Sequence, residues 1–158
     1  MKQIWNKILK EAENFIQKEP FITSILEQVI HDKNDFWTTI AIVISGKLKT
    51  DHMPQSNIKA LICKVLKEDE DVKKQIIADL MSYVERDFAC ETYLEVVLFY
   101  RGFQAVTAYR IARNCYLNSQ KLTSKFLQNR IFEVYGMDIH PNAKLGKGIV
   151  IDHGIGVV

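Results

Sequence analysis

Asp138, Asp152 and His153 are the residues of this sequence whose types and spacing could do chemistry. Imidazole titrates close to neutrality, so a histidine can take up or release a proton, and a neighbouring carboxylate can fix its tautomer. Asp152 and His153 are adjacent, with Asp138 lying 14 residues before Asp152. Alone, an Asp-His pair in a glycine-rich stretch reads as a solvated turn. Asp138, His140, Asp152 and His153 also have the donor types of a metal site, but their spacing does not define a closed ligand set. His140, beside Pro141, reads as structural. His31 and His52 have no ligand spacing and read as surface residues.

Other reactive residue types point away from chemistry. Cys63, Cys90 and Cys115 are scattered and have no adjacent base, so they read as small apolar side chains of a reduced, cytoplasmic protein. Between Glu95 and Glu133 stand six basic residues (Arg101, Arg110, Arg113, Lys121, Lys125 and Arg130) and no acidic ones. They could form a nucleic-acid face, or a basic helical face that meets the acidic run Glu68–Asp71 or an oligomer partner. The net charge of +2 favours the latter. Gly146-Lys147-Gly148 is too short for a phosphate-cradling loop. Among 158 residues, 47% are hydrophobic and 25% charged, which excludes a disordered chain. The longest apolar runs, 40–44 and 96–100, are far too short to span a bilayer, and the N-terminus has no signal-peptide core.

Helices must position these residues through most of the chain. Ile4, Trp5, Ile8, Leu9, Ala12, Phe15 and Ile16 form a helical stripe that Pro20 ends. A second helix carries Ile22 to Ile30, and Asp35 caps a third that should stop at Gly46. Ser56 or Asn57 opens a helix through Leu66, and the acidic run is the solvated start of one from Val72 to about Glu85. Further helices fit roughly 92–117, bent at Gly102, and 121–135. Only two of the seven glycines fall before residue 136, so the architecture changes there. Ile139, Leu145, Ile151 and Val157 are then each six apart, the period of a parallel β-helix, although an ordinary hairpin could also carry it.

The string Met137-Asp138-Ile139-His140-Pro141 through Ile151-Asp152-His153-Gly154 resembles the opening of the left-handed β-helix of serine acetyltransferases. Ile4-Trp5-Asn6-Lys7-Ile8, Glu85-Arg86-Asp87, Tyr100-Arg101-Gly102-Phe103 and Ala108-Tyr109-Arg110-Ile111 resemble that family in order along the chain. The resemblance implies a mainly α fold, with an N-terminal multi-helix domain over 1–136 and the first coil of a left-handed parallel β-helix over 137–158. It implies acetyl transfer from acetyl-CoA, a co-substrate rather than a bound cofactor, to the hydroxyl of L-serine for cysteine synthesis. His153 would be the general base, Asp138 its orienting carboxylate, and Asp87 and Asp152 the seat of the substrate ammonium group, with no metal. It further implies a homo-oligomer, a trimer or a dimer of trimers, with no membrane or nucleic acid involved.

Two departures qualify these expectations. Asp87-Phe88 stands where the family usually has Asp-Pro, so the loop presenting Asp87 is expected to lose its rigid successor. The sequence also ends five residues after His153. Later coils, with a second histidine, an arginine for the substrate carboxylate and the acetyl-CoA groove, are expected to be missing, as is a sulfhydrylase-docking tail. A single coil should be left with open backbone edges. The alternative expectation is a truncated, inactive member acting only as a helical oligomerisation module or remnant.

Overall fold

The computed structural model describes residues 1–30 and 34–158, so His31 lies outside the described residues. Among them the chain is mainly helical: α1 (Lys2–Lys18), a 3-10 turn (Pro20–Ile22), α2 (Thr23–Val29), α3 (Phe36–Leu48), α4 (Gln55–Glu68), α5 (Glu70–Arg86), α6 (Tyr93–Phe99), α7 (Arg101–Leu117) and α8 (Lys121–Tyr135). Asp35 caps α3 as expected, accepting the Thr38 amide at 2.7 Å. Gly46 does not end that helix, which continues to Leu48. The Gln55 side chain lies over Gly46 and bonds the Ile42 carbonyl at 3.3 Å. Pro54, rather than Ser56 or Asn57, precedes the first turn of α4. The expected bend at Gly102 is a break at Tyr100, separating α6 from α7.

The middle of the molecule is α7. Every residue from Gly102 to Ala112 is buried, and the helix packs along α8 and against α3, α4, α5 and α6. A helix enclosed on all sides forms the axis of a core rather than its lid. α8 ends at Gly136, in the left-handed conformation that glycine adopts without steric cost.

Residues 137–158 contain no named strand. Their one strand-like pairing is a parallel bridge between Met137 and Val157. The Asp138 amide bonds the Val157 carbonyl at 2.8 Å, and the Gly156 amide bonds the Gly136 carbonyl at 2.9 Å, so the segment leaves and returns beside its own start. Short hexapeptide faces become ladders only where one turn lies against another, and this segment passes itself at one place. Met137 is fully buried, and Ile139, Leu145, Ile151 and Val157 pack against the helical core.

The expected open edge is covered on one side by helical side chains. The Arg113 guanidinium donates to the carbonyls of Pro141 and Ala143 at 3.0 and 2.9 Å, the Tyr109 hydroxyl also donates to Ala143, and Arg110 donates to Gly146 at 2.8 Å. This corrects the reading of the basic stretch. Arg110 is only 2% exposed and pairs with Asp79 instead of the 68–71 run. Arg101 donates to the Val134 carbonyl, and Arg130 to those of Leu48 and Lys49. These cations stitch the fold together. No helix among the described residues is long and apolar enough to cross a membrane.

Candidate functional site

Asp87, Asp152 and His153 line one cleft of about 370 Å³ between the end of α5, the start of α7 and the 151–155 turn. Asp87 is the C-cap of α5, its amide bonded to the Tyr83 carbonyl at 2.9 Å. Its carboxylate accepts the Ala89 amide at 2.9 Å, and its carbonyl accepts the Cys90 amide at 3.0 Å. The turn is therefore braced by its own aspartate, in the manner of an Asx turn, although Phe88 stands where a proline was expected. The Phe88 ring projects fully into solvent.

The opposite wall is the turn at Asp152 and His153. His153 has φ +53°, an unusual value for a residue with a side chain, and Gly154 follows at +72°. Met137 sulfur and methyl atoms fill the place where a Gly154 side chain would stand, and the left-handed φ there favours glycine as well. The Asp152 and His153 side chains are 74% and 91% exposed, with Nε2 of His153 3.6 Å from a carboxylate oxygen of Asp152. Two carboxylates lining one cleft suit an ammonium group, and an accessible imidazole beside one of them suits proton removal from a hydroxyl.

Asp138 lies outside this cleft lining. Its carboxylate accepts from the Gln128 side-chain amide at 2.6 Å, and no hydrogen bond joins it to His153 among the described residues. The carboxylate beside the imidazole here is Asp152. The His140 ring stacks edge-on to Tyr116 at 5.8 Å, and its Nδ1 accepts the Asn142 amide at 3.1 Å, the structural role read from its neighbour Pro141. No set of three His, Cys, Asp or Glu side chains converges to hold a metal among the described residues. Burial raises the thiols of Cys90 and Cys115, which keeps them protonated and poor nucleophiles.

Sequence reading missed several residues behind the cleft. The buried Tyr83 hydroxyl lies 3.0 Å from both the amide and the carbonyl of Ile151, and burial pushes it up to about 12, so it remains a neutral donor. Deeper in, Arg110 makes a two-pronged ion pair with Asp79 at 2.7 and 2.9 Å, and the same carboxylate accepts the Ile149 amide at 2.8 Å. The available signal was a charge among apolar sequence neighbours: Asp79 between Ile76 and Leu80 on α5, and Arg110 between Tyr109 and Ile111 on α7. Arg101 also lines the cleft.

Residues 4–108 match the family model described as serine acetyltransferase, N-terminal. Serine acetyltransferase 1, chloroplastic, of Arabidopsis thaliana is 34% identical over 155 residues, an alignment covering 98% of this chain and 49% of that protein. The structure of a Neisseria gonorrhoeae serine acetyltransferase in complex with serine superposes with a TM-score of 0.93 at 35% identity, covering 97% of this chain and 64% of that one. A Brucella abortus serine acetyltransferase in complex with coenzyme A gives a TM-score of 0.94 at 26% identity, covering 99% and 62%. The chain spans about half the length of that Arabidopsis relative and under two thirds of those solved chains.

Proposed function

This chain belongs to the serine acetyltransferase family, and from that premise we propose that it transfers an acetyl group from acetyl-CoA to the hydroxyl of L-serine. The observation that carries the reading is the meeting of Asp87, Asp152 and His153 on one cleft, from segments that lie 65 residues apart in sequence. The serine and coenzyme A complexes of the structural neighbours support the choice of substrates.

In the proposed reaction the substrate ammonium group sits between the carboxylates of Asp87 and Asp152. His153 removes the hydroxyl proton as the oxygen attacks the thioester carbonyl. The carbon–sulfur bond breaks, and the proton returns from the imidazolium to the departing thiolate, which leaves as free coenzyme A. Asp138 is proposed as the orienting carboxylate. Its anchor on Gln128 places it at the start of the returning segment, and the imidazole must turn toward it for that role.

We read residues 1–136 as the helical domain and 137–158 as the first coil of a left-handed β-helix. The inward packing of the six-spaced aliphatic residues and the parallel return at Val157 support this division. A homo-oligomer, trimer or dimer of trimers, is proposed on the same family ground. The three free cysteines support a cytoplasmic site of action.

The test is free-thiol release from acetyl-CoA by the purified chain, with and without L-serine. Serine-dependent release should fall by about 10²-fold or more in His153→Ala, the range expected for losing a general base. A serine-dependent rate that this substitution leaves unchanged would overturn the role of His153. Absence of release from folded protein would favour the oligomerisation-module reading.

A further inference from the structure

Resting on that reading of the cleft, we propose that Tyr83 is a positioning residue, which together with Gly102 fixes the Asp152–His153 turn through the backbone of Ile151. One face of α5 presents Asp79, Tyr83 and Arg86 at helical spacing to a single stretch of main chain. Asp79 accepts the Ile149 amide at 2.8 Å, Arg86 donates to the Gly148 carbonyl at 3.2 Å, and the Tyr83 hydroxyl serves both polar groups of Ile151 at 3.0 Å. Of the three, Tyr83 holds the residue directly before Asp152.

A hydroxyl has one hydrogen to donate and lone pairs to accept with, so one oxygen can satisfy an amide and a carbonyl together. Both groups are partly buried, where losing a partner costs more than it does in open water. The Tyr83 ring is set edge-on against Tyr100 at 5.5 Å and Phe103 at 6.2 Å, which fixes the position of its oxygen. Gly102 closes the other side: a β-carbon there would overlap the Ile151 carbonyl and the Tyr83 hydroxyl. Ile151 is thus gripped between α5 and α7. The next two residues are Asp152 and His153, and a left-handed φ at His153 persists only where its surroundings determine it. Tyr83 does not line the cleft, so it acts through this turn and not on substrate.

The test is NMR of the 158-residue chain carrying Tyr83→Phe, with Tyr109→Phe as a matched loss of one hydroxyl bond to the same segment, at Ala143. Tyr83→Phe should speed hydrogen exchange of the Ile151 amide by about tenfold, the effect of one lost hydrogen bond. It should shift the three-bond HN–Hα coupling of His153, which reports φ, and weaken L-serine binding by about tenfold. Tyr109→Phe should leave the coupling and the serine affinity unchanged. Gly102→Ala should reproduce the Tyr83→Phe changes by displacing the same carbonyl, and it decides the matter if Tyr83→Phe does not fold. Unchanged Ile151 exchange and His153 coupling in a folded Tyr83→Phe chain would overturn the proposal, as would an equal change of the coupling in Tyr109→Phe. If the unsubstituted chain shows no response to L-serine, the substrate reading fails. The clamp then stands or falls on exchange and coupling alone.

Discussion

Asp79 and Arg110 place two opposite charges in the interior, where an unpaired ion is costly and a paired one must be fully bonded. Here the bonding is extensive. Both carboxylate oxygens take a guanidinium nitrogen, one also takes the Ile149 amide, and the guanidinium reaches the Gln75 side chain and the Gly146 carbonyl. Arg110→Met should therefore cost about 3–5 kcal/mol in urea denaturation, because it strands a buried carboxylate. Adding Asp79→Asn should cost less than the sum of the two single changes. The pair was only half legible in the sequence. Each charge is visible among apolar sequence neighbours, but nothing local says that residues 31 apart meet, so Arg110 reads with its neighbours as part of one basic face. Asp138 shows the same limit. Its residue type is readable, whereas its partner Gln128 is set by the packing of α8.

At the scale of elements, helical periodicity located most of the described helices to within a few residues, but 92–117 reads as one bent helix where the structure has two, α6 and α7. The stops were harder to read, because they depend on neighbours. Gly46 remains inside α3 under the Gln55 side chain, and Gly102 lies inside α7, close under Ile151, while the break falls at Tyr100. Asp69 illustrates a start with a second task. One carboxylate oxygen caps α5 by accepting the amides of Asp71 and Val72, both at 3.0 Å, and the other accepts the Asn114 side-chain amide of α7 at 2.8 Å. Asp69→Ala should cost about 1–2 kcal/mol by thermal or urea unfolding, the upper part of the range for a lost N-cap. The same change at Asp35 should cost less, because that carboxylate caps α3 through a single amide. Equal losses at the two positions would show that the link to α7 adds nothing.

For the whole molecule, buried tyrosines set how the fold responds to alkali. Burial raises the Tyr83 hydroxyl to about 12 and also raises that of Tyr135, so each holds its proton more tightly when folded than when unfolded. Above pH 10 the unfolded chain therefore binds fewer protons than the folded one. Because burial raises the Cys90 and Cys115 thiols as well, stability should begin to fall near pH 9, where the unfolded thiols titrate, and fall further toward 12. Urea midpoints followed between pH 8 and 12 would check this, and Tyr83→Phe should make the decline shallower. The helical architecture was legible where a period repeats, in the helical stripes; the six-residue spacing after Gly136 marks residues that pack on the helical core, but no strand ladder accompanies it. The attachment of the last segment was not legible, since it runs through hydroxyl, guanidinium and carboxylate groups whose main-chain partners, 62 to 70 residues away along the chain from α5, nothing local indicates.

That attachment has a consequence for how freely the last segment can vary. Pro141, Ala143, Gly146, Gly148, Ile149 and Ile151 are held by α5 and α7 through amide and carbonyl groups that every residue, or nearly every residue, possesses. The helices thus recognise the path of this segment and not its spelling. The exposed positions between these anchors, Asn142, Lys144 and Lys147, are open to drift in size and charge while the path to His153 is kept. Constraint on this stretch is therefore recorded mostly in the helices, at Tyr83, Gly102, Arg110 and Arg113, far from the letters whose positions it governs.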